Sequence, residues 1–413
     1  MPDSRDEGAP LRVLFLTQTF PRRADDGAGP FIRDLARGLV RGGDRVRVLA
    51  PHTAGLAGSW SADGVEVVTF RYAPERLELL GYGRSLRADE RSSAAAMAVA
   101  PLYLLGARRA IRRALRAGSW DVLQAHWLVP NLLAATPFAT RLPLVVGLHG
   151  SDVFMAEKRA LRALVRRSLA GTRALTSCSP ELARRVEAIG FPPERSTVIP
   201  YGVDAELFRP DATRRLIWRQ RLGIPEHAPL LLGVGRMATK KGFHDLLEAF
   251  SAIAMRFPES HLVLAGGGDR LEEYRAWPTS PPGRVHFPGA VLHDALPDLY
   301  RAAELFVLPA VHDARGNVDG LPNVILEAMA SALPVVATRV SGLPLAVEPG
   351  TNGWLVEEGD RQGLARALTA ALENPIHARD LGGRGRARAL AEFDWDSVAA
   401  RYREVYCEAI RAS

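Results

Sequence analysis

The stretch LLLGVGRMATKKGFHDLLEAF, Leu230–Phe250, decides the fold. A short apolar strand runs into Gly233-x-Gly235, then Arg236, Lys240, Lys241 and Gly242, and then a helix. Gly233–Ala238 matches a G-x-G-x-x-A dinucleotide fingerprint, which alone is weak. That fingerprint also requires the helix to open at once and an acid about 20 residues on, at the end of the next strand. Here two lysines and another glycine intervene, and the next strand, HLVLA, ends in Gly266-Gly267-Gly268 before Asp269. Nicotinamide binding is therefore disfavoured. An Arg that grips phosphate in a fork and a Lys that supplies a point charge suit a diphosphate better. The plainer reading is a solvated basic turn.

Working outward, the same alternation fills the chain. First-half strands are read at Arg12–Phe20, Val46–Pro51, Val65–Tyr72, Val122–His126, Leu142–His149, Ala174–Ser177 and Thr197–Pro200. Helical runs such as Phe31–Arg41, Arg91–Ala117 and Pro180–Ile189 fall between them. Second-half strands are read at Leu230–Val234, His261–Ala265, Val285–Phe287, Leu305–Pro309 and Pro334–Thr338. Such alternation implies parallel sheets covered by helices. It pauses between Asp204 and Pro229, where Pro210, Pro225 and Pro229 interrupt it. The expected architecture is α/β, with two doubly wound Rossmann-like domains facing a cleft. The boundary is placed near Asp204–Pro210, with expected bounds of 1–205 for the first domain and a second domain from 206 onward. Ligands of such sheets sit at the carboxyl ends of the strands, so the residues just after strands carry the information.

The 413 residues exceed one ordinary core and suit two domains. Two cysteines, Cys178 and Cys407, make no disulfide framework. The polar, acidic N-terminus does not read as a signal peptide. No apolar run reaches the ~20 residues of a membrane span. A cytoplasmic protein is expected. With 53 Lys+Arg against 46 Asp+Glu, the formal charge of +7 fits an anionic substrate, an anionic membrane or nucleic acid, and separates none of them. The basic runs Arg108–Arg116 and Arg159–Arg173 have helical periodicity and little aromatic interleaving, so no nucleic-acid partner is expected. The segment Tyr103–Arg116 has the composition of a helix that lies on an anionic surface, and a solvated helix packed on its own domain is the plainer alternative.

Three further stretches carry chemistry. In VDGLPNVILEAMASALPVVAT, Val318–Thr338, Asp319 precedes a helix and Glu327 lies on its early turns. Pro322 suits the first helical turn, and the amides there, including Asn323 and Val324, can meet an anion. Gly320 lets the backbone approach a ligand. Two acids bracketing a helix N-terminus suit a polyhydroxylated, phosphate-bearing ligand, while an exposed helix residue and a turn former are the plain alternative. LPLVVGLHGSDVF ends a strand at His149, placed for a ligand or satisfied within a loop. The loop in PRRADDGAGPFIRDLARGL, with Gly27 and Gly29, can expose amides or be plain surface. Asp394-Trp395-Asp396 has the D-x-D spacing of some metal-dependent sugar transferases, but Asp396 reads as the N-cap of the last helix. No His or Cys spacing resembles a metal site.

Taken together the motifs resemble glycosyltransferase family 4, the group 1 glycosyltransferases of GT-B fold. The resemblance rests on the early loop with Gly29, LHGSD, VIPYGVD, VGRMATKKG, LAGGGD, PGAVLHDALPDLYRAA, LFVLPA, DGLPNVILEAMA and FDWDSVAARYREVY. It implies two Rossmann-like domains, with a C-terminal helix at about 394–413 crossing back to the first, so that the second spans 206–393. It implies a retaining, metal-independent transferase that needs no cofactor and uses a nucleotide-sugar donor, a UDP- or GDP-sugar being expected. It implies that Arg236 and Lys241 hold the diphosphate, that Asp319 approaches the donor sugar and that Glu327 binds ribose hydroxyls. Gly235, Gly267, Val291, Gly320, Leu321 and Asn323 would line the donor, with His149 facing the sugar and Gly29 the phosphate. The acceptor would be a hydroxyl compound, a lipid-linked glycan precursor among the candidates, with peripheral contact at the inner membrane face then expected. The chain departs from the family at Asp319, where Glu is usual, at Ser331-Ala332 in place of Ser-Gly, and at Tyr201 in place of Asn. An NAD(P)-dependent oxidoreductase and a non-catalytic nucleotide-sugar-binding protein stand as the competing readings.

Overall fold

Near-continuous apolar runs of four or five residues give strands buried on both faces, and helices cover them. The computed structural model describes residues 9–23, 26, 29–82, 90–278 and 284–412. Gly27 of the early loop lies outside the described residues. The chain divides into two units, Met1–Ile199 with Trp395–Ser413, and Pro200–Asp394.

The first unit contains β1 (Arg12–Leu16), β2 (Arg45–Pro51), β3 (Ser59–Ala62), β4 (Val65–Phe70), β5 (Val122–His126), β6 (Leu144–Leu148), β7 (Ala174–Ser177) and β8 (Ser196–Val198). Their order in the sheet is β3-β4-β2-β1-β5-β6-β7-β8. All pairs are parallel except β3 with β4. The helix Trp395–Arg411 belongs to this unit. It lies so close to helix Pro30–Arg41 that a Cβ on Gly38 would meet the Trp395 carbonyl at 2.7 Å. Asp396 is not the cap expected of it. It lies inside the helix and pairs with Arg41 at 2.5 Å.

The second unit contains β9 (Leu230–Val234), β10 (His261–Ala265), β11 (Val285–Gly289), β12 (Leu305–Leu308), β13 (Val335–Thr338) and β14 (Gly353–Val356). All run parallel, in the order β11-β10-β9-β12-β13-β14. Each sheet reverses its winding once. In the first unit β1 lies between β2 and β5, and in the second β9 lies between β10 and β12. These are the switch points at which doubly wound sheets bind ligands.

Candidate functional site

At the switch point of the second unit, β9 ends and the chain turns through Gly235, Arg236 and a short 3-10 turn, Thr239–Lys241, before helix Phe243–Ile253. The loop is tied to its neighbours by main-chain bonds. Met237 N donates to Gly267 O at 2.9 Å, and Val311 N donates to Lys240 O at 3.0 Å. Gly242 adopts φ 67°, and a Cβ there would lie 1.7 Å from the Pro309 carbonyl oxygen. Only glycine allows that approach, and it brings both lysines to the loop that follows β12.

That loop carries Asp319. Its two oxygens receive Lys240 Nζ and Lys241 Nζ, the latter at 2.8 Å. Burial works to raise the Asp319 carboxyl, but Lys241 and Lys240 override it and hold the group well below the usual carboxylate range. Lys241 is 8% exposed, whereas the Arg236 side chain is 69% exposed and lies 3.9 Å from Asp269. One cation is thus fixed and the other is free to swing. Gly320 and Leu321 are buried behind Asp319, and Gly320 O accepts from Gly342 N at 2.7 Å. Helix Asn323–Ala330 starts one residue later than expected, with Pro322 as its extended N-cap. The positive end of this helix faces the same loop.

Glu327 is buried, not an exposed helix residue. The Tyr300 hydroxyl donates to its Oε2 at 2.7 Å. Burial pushes the Glu327 carboxyl up, and that hydrogen bond opposes the shift. Burial also holds the Tyr300 phenol well above its ordinary value, so Tyr300 remains a donor. Val291 is half-buried in the loop after β11. All the second-unit residues expected from sequence therefore gather at the carboxyl ends of β9, β10, β11 and β12. Among the described residues no group of three or more His, Cys, Asp or Glu is placed to hold a metal ion.

The first unit offers a different surface. His149 follows β6 and stacks on His126 at the end of β5, with ring centroids 5.2 Å apart. Trp127 lies 4.7 Å from His149, and Phe31, two residues after Gly29, lies 4.8 Å from it. Gly29 caps helix Pro30–Arg41 with φ 72°. Buried Asp152 pins the loop, accepting from Leu128 N and Gly150 N, each at 3.0 Å. Burial pushes His126 down to about 3, and burial together with His126 drives His149 well below its ordinary value.

His126 Nδ1 and His149 Nε2 lie 3.0 Å apart, so one donates to the other. His126 Nε2 is buried without a hydrogen-bond partner. A buried unpaired N–H is the rarer and costlier orphan. The His126 proton therefore sits on Nδ1 and is donated to His149 Nε2, which places the His149 proton on Nδ1. His126 and Tyr300 both escaped the sequence reading, although Tyr300 stands within the quoted DALPDLYRAA.

Two family models match. "Glycosyl transferase 4-like domain" covers residues 26–202, and "Glycosyl transferases group 1" covers residues 214–388. The chain is 30% identical over 280 residues to a GDP-mannose-dependent alpha-(1-6)-phosphatidylinositol monomannoside mannosyltransferase of Mycobacterium tuberculosis, covering 65% of this chain and 72% of that protein. It is 31% identical over 315 residues to a D-inositol 3-phosphate glycosyltransferase of Thermobispora bispora, covering 71% of this chain and 72% of that one. In structure it matches a sucrose-phosphate synthase of Thermosynechococcus elongatus with a TM-score of 0.76 at 22% identity, over 97% of this chain and 99% of that one. The chain belongs to the group 1, family 4 glycosyltransferases of GT-B type, and it is an enzyme of sugar transfer. The nicotinamide reading is set aside with that family. The local reason is that a 3-10 turn and Gly242 separate the glycine pair from the helix.

Proposed function

We propose that the enzyme transfers a sugar from a nucleoside-diphosphate sugar to a hydroxyl acceptor with retention at the anomeric carbon. The observation that carries this reading is the Lys240–Asp319–Lys241 cluster at a switch point, beside the exposed Arg236 and a helix N-terminus. A site that neutralises its own lysines with a carboxylate can accept a diphosphate in exchange. The Mycobacterium tuberculosis relative is GDP-mannose-dependent, which supports a nucleotide-sugar donor.

In this reading Arg236, Lys240 and Lys241 grip the diphosphate and Glu327, held by Tyr300, meets ribose hydroxyls. Gly235, Gly267, Val291, Gly320, Leu321 and Asn323 line the donor. Asp319, released from the lysines, turns to the sugar. Gly29 and His149 contribute from the first unit, His149 donating from Nδ1 to a sugar oxygen. As the bond from the anomeric carbon to the diphosphate breaks, charge grows on the departing oxygen. Fixed cations and helix amides stabilise it where other transferases use a metal ion. The acceptor is a hydroxyl compound, a lipid-linked one included. A peripheral place at the inner membrane face would follow from that. Among the described residues no helix is long and apolar enough to cross a membrane.

A thermal-shift panel of UDP-, GDP- and ADP-sugars tests the donor. A specific donor raises the melting temperature by mass action, and product NMR reads the anomer. No response to any sugar nucleotide, or an inverted product, would sink the reading. Loss of transfer in EDTA with rescue by Mg²⁺ or Mn²⁺ would refute the metal-free part. Donor hydrolysis without acceptor would separate this enzyme from a binding protein.

A further inference from the structure

The proposed chemistry leaves unused a basic pocket at the carboxyl ends of β2 and β4, of about 440 Å³. His52 follows β2 and Arg71 follows β4, and Arg109 and Arg113 of helix Glu90–Ala117 complete the lining. The pocket is built around buried parts. His52 and Glu78 are each 5% exposed. Arg71 Nη2 lies 3.2 Å from His52 Nε2, and His52 Nδ1 lies 2.7 Å from Glu78 Oε2. A guanidinium only donates, so His52 Nε2 accepts and Nδ1–H goes to Glu78. The relay Arg71→His52→Glu78 fixes one nitrogen of the fork, and the guanidinium lines the cavity.

The helix is brought there by a close approach. A Cβ on Gly106 would lie 2.7 Å from Tyr72 Cβ and 3.2 Å from Arg71 O. One turn further on, Arg109 and Arg113 stand at i, i+4. Like charges at that spacing repel each other. Neither has a carboxylate partner among the described residues. Three guanidiniums therefore line one concavity, and among the described residues the carboxylate linked to them is Glu78, buried behind His52.

We propose that this pocket binds a phosphate-bearing group, presented by a soluble sugar phosphate or by a phospholipid headgroup. Arginine forks match phosphate oxygens in pairs, and the volume suits a ligand of hexose-phosphate size. The pocket's place at the ligand edge of the first sheet assigns it to the acceptor side of the proposed reaction. The assignment rests on that reading, whereas the binding itself does not.

The test compares the full chain with Arg109→Gln/Arg113→Gln, two exposed helix positions whose loss leaves the core intact. Probes are inorganic phosphate, glucose 6-phosphate, and vesicles of phosphatidylcholine with or without phosphatidylinositol. Binding is read by calorimetry or co-flotation, and free UDP, GDP and ADP serve as controls for the second unit. Expected is binding of at least one phosphate probe, weakened at least tenfold in the double variant, with nucleotide binding unchanged. Retention by small phosphates identifies a soluble source, and capture only by phosphatidylinositol vesicles identifies the lipid. If no probe binds, or if the variant binds as the parent does, the pocket is not a phosphate site. If none of UDP, GDP and ADP binds while the phosphate result stands, the donor reading fails and the pocket survives.

Discussion

The two switch points solve opposite electrostatic problems with the same topology. In the second unit, charge is concentrated and compensated: Lys240 and Lys241 close on Asp319, which stays ionised despite burial. In the first unit, charge is removed: His126 is buried, His149 is half-buried against Phe31 and Trp127, and both are held neutral. A compensated cluster can exchange its anion for a ligand's. A neutral, apolar-walled pair can only position a hydrogen bond. The contrast predicts that variants in the second unit act through charge and salt, and variants in the first through geometry and acid.

Lys241→Ala should have the largest effect. A buried charge-assisted contact contributes roughly 1.5–3 kcal/mol, so donor affinity should fall about 10–150-fold. Arg236→Ala should cost less in the free state because Arg236 is exposed, yet slow transfer by a similar factor if the arm closes on the diphosphate. Calorimetry with donor at two salt concentrations, beside turnover assays, checks this. Normal affinity in Lys241→Ala would break the comparison at its root.

Asp319→Asn comes next. It releases two cations while keeping size, so free nucleoside diphosphate should bind as well as before or better. Transfer should drop about tenfold or more, because the charge facing a developing cationic sugar is gone. Glu327→Gln should instead weaken the nucleotide. Equal damage to nucleotide binding by both variants would show that the carboxylates do not divide the labour.

The strand ends that hold these groups were legible because parallel-sheet strands are short apolar runs. β5, β7, β9 and β10 begin and end at the residues read from sequence. Two strands, β3 and β14, were not read from sequence, and β3 teaches the limit. β3, Ser59–Ala62, is mostly exposed and has no apolar run, and its signal was the Asp63-Gly64 turn with φ 52° and 78°, a hairpin type that favours Asp-Gly. Single side chains after strands, such as Arg236, Lys241 and His149, were also legible. Partnerships were not. His126 meets His149 because β5 and β6 pair His126 with Gly147, and Tyr300 meets Glu327 across 27 positions. Nothing local in sequence records either register.

The histidine pair gives a smaller, acid-dependent effect. Both folded-state values lie below the ordinary 6.5. The stability they contribute is complete above that value and is lost as pH falls from it toward about 3, because the unfolded chain takes up protons first. Between pH 6.5 and 5.5 this should cost about 1–3 kcal/mol for the two rings together. Asp319 has the same sign but does not act until pH approaches about 4. Denaturant titrations across pH 5–7 should show the slope, to which His261, pushed down to about 4 mainly by burial, and His286 add with the same sign, and His126→Asn should lessen it. That amide also keeps a donor near the Nδ1 position, so it should preserve the His149 tautomer, read by ¹⁵N NMR, where His126→Leu loses it. An unchanged tautomer in His126→Leu would refute the proton assignment.

The smallest expected effect lies at the far end of the helix that carries Glu327. Helix Leu216–Leu222 ends on Gly223 in the left-handed region, φ 67°, at no steric cost. Helix Asn323–Ala330 ends with the same turn, since Leu333 N donates to Ala328 O at 3.0 Å, but Ala332 occupies the left-handed position with φ 58°. An L-residue there costs about 1–2 kcal/mol. The position is kept by packing: a Cβ on Gly382 would lie 2.2 Å from Ala332 O, so the helix Pro375–Glu392 rests directly on that carbonyl. Ala332→Gly should relieve the strain, less about 0.4–1 kcal/mol for the freer unfolded chain, and stabilise the protein by up to about 1.5 kcal/mol. Donor affinity should not change, because the N-terminus of the helix is held by Gly320 and Pro322 and not by its end. A lower melting temperature would mean that the alanine methyl packs more than it strains. A changed donor affinity at raised stability would mean that the charged site depends on where its helix stops.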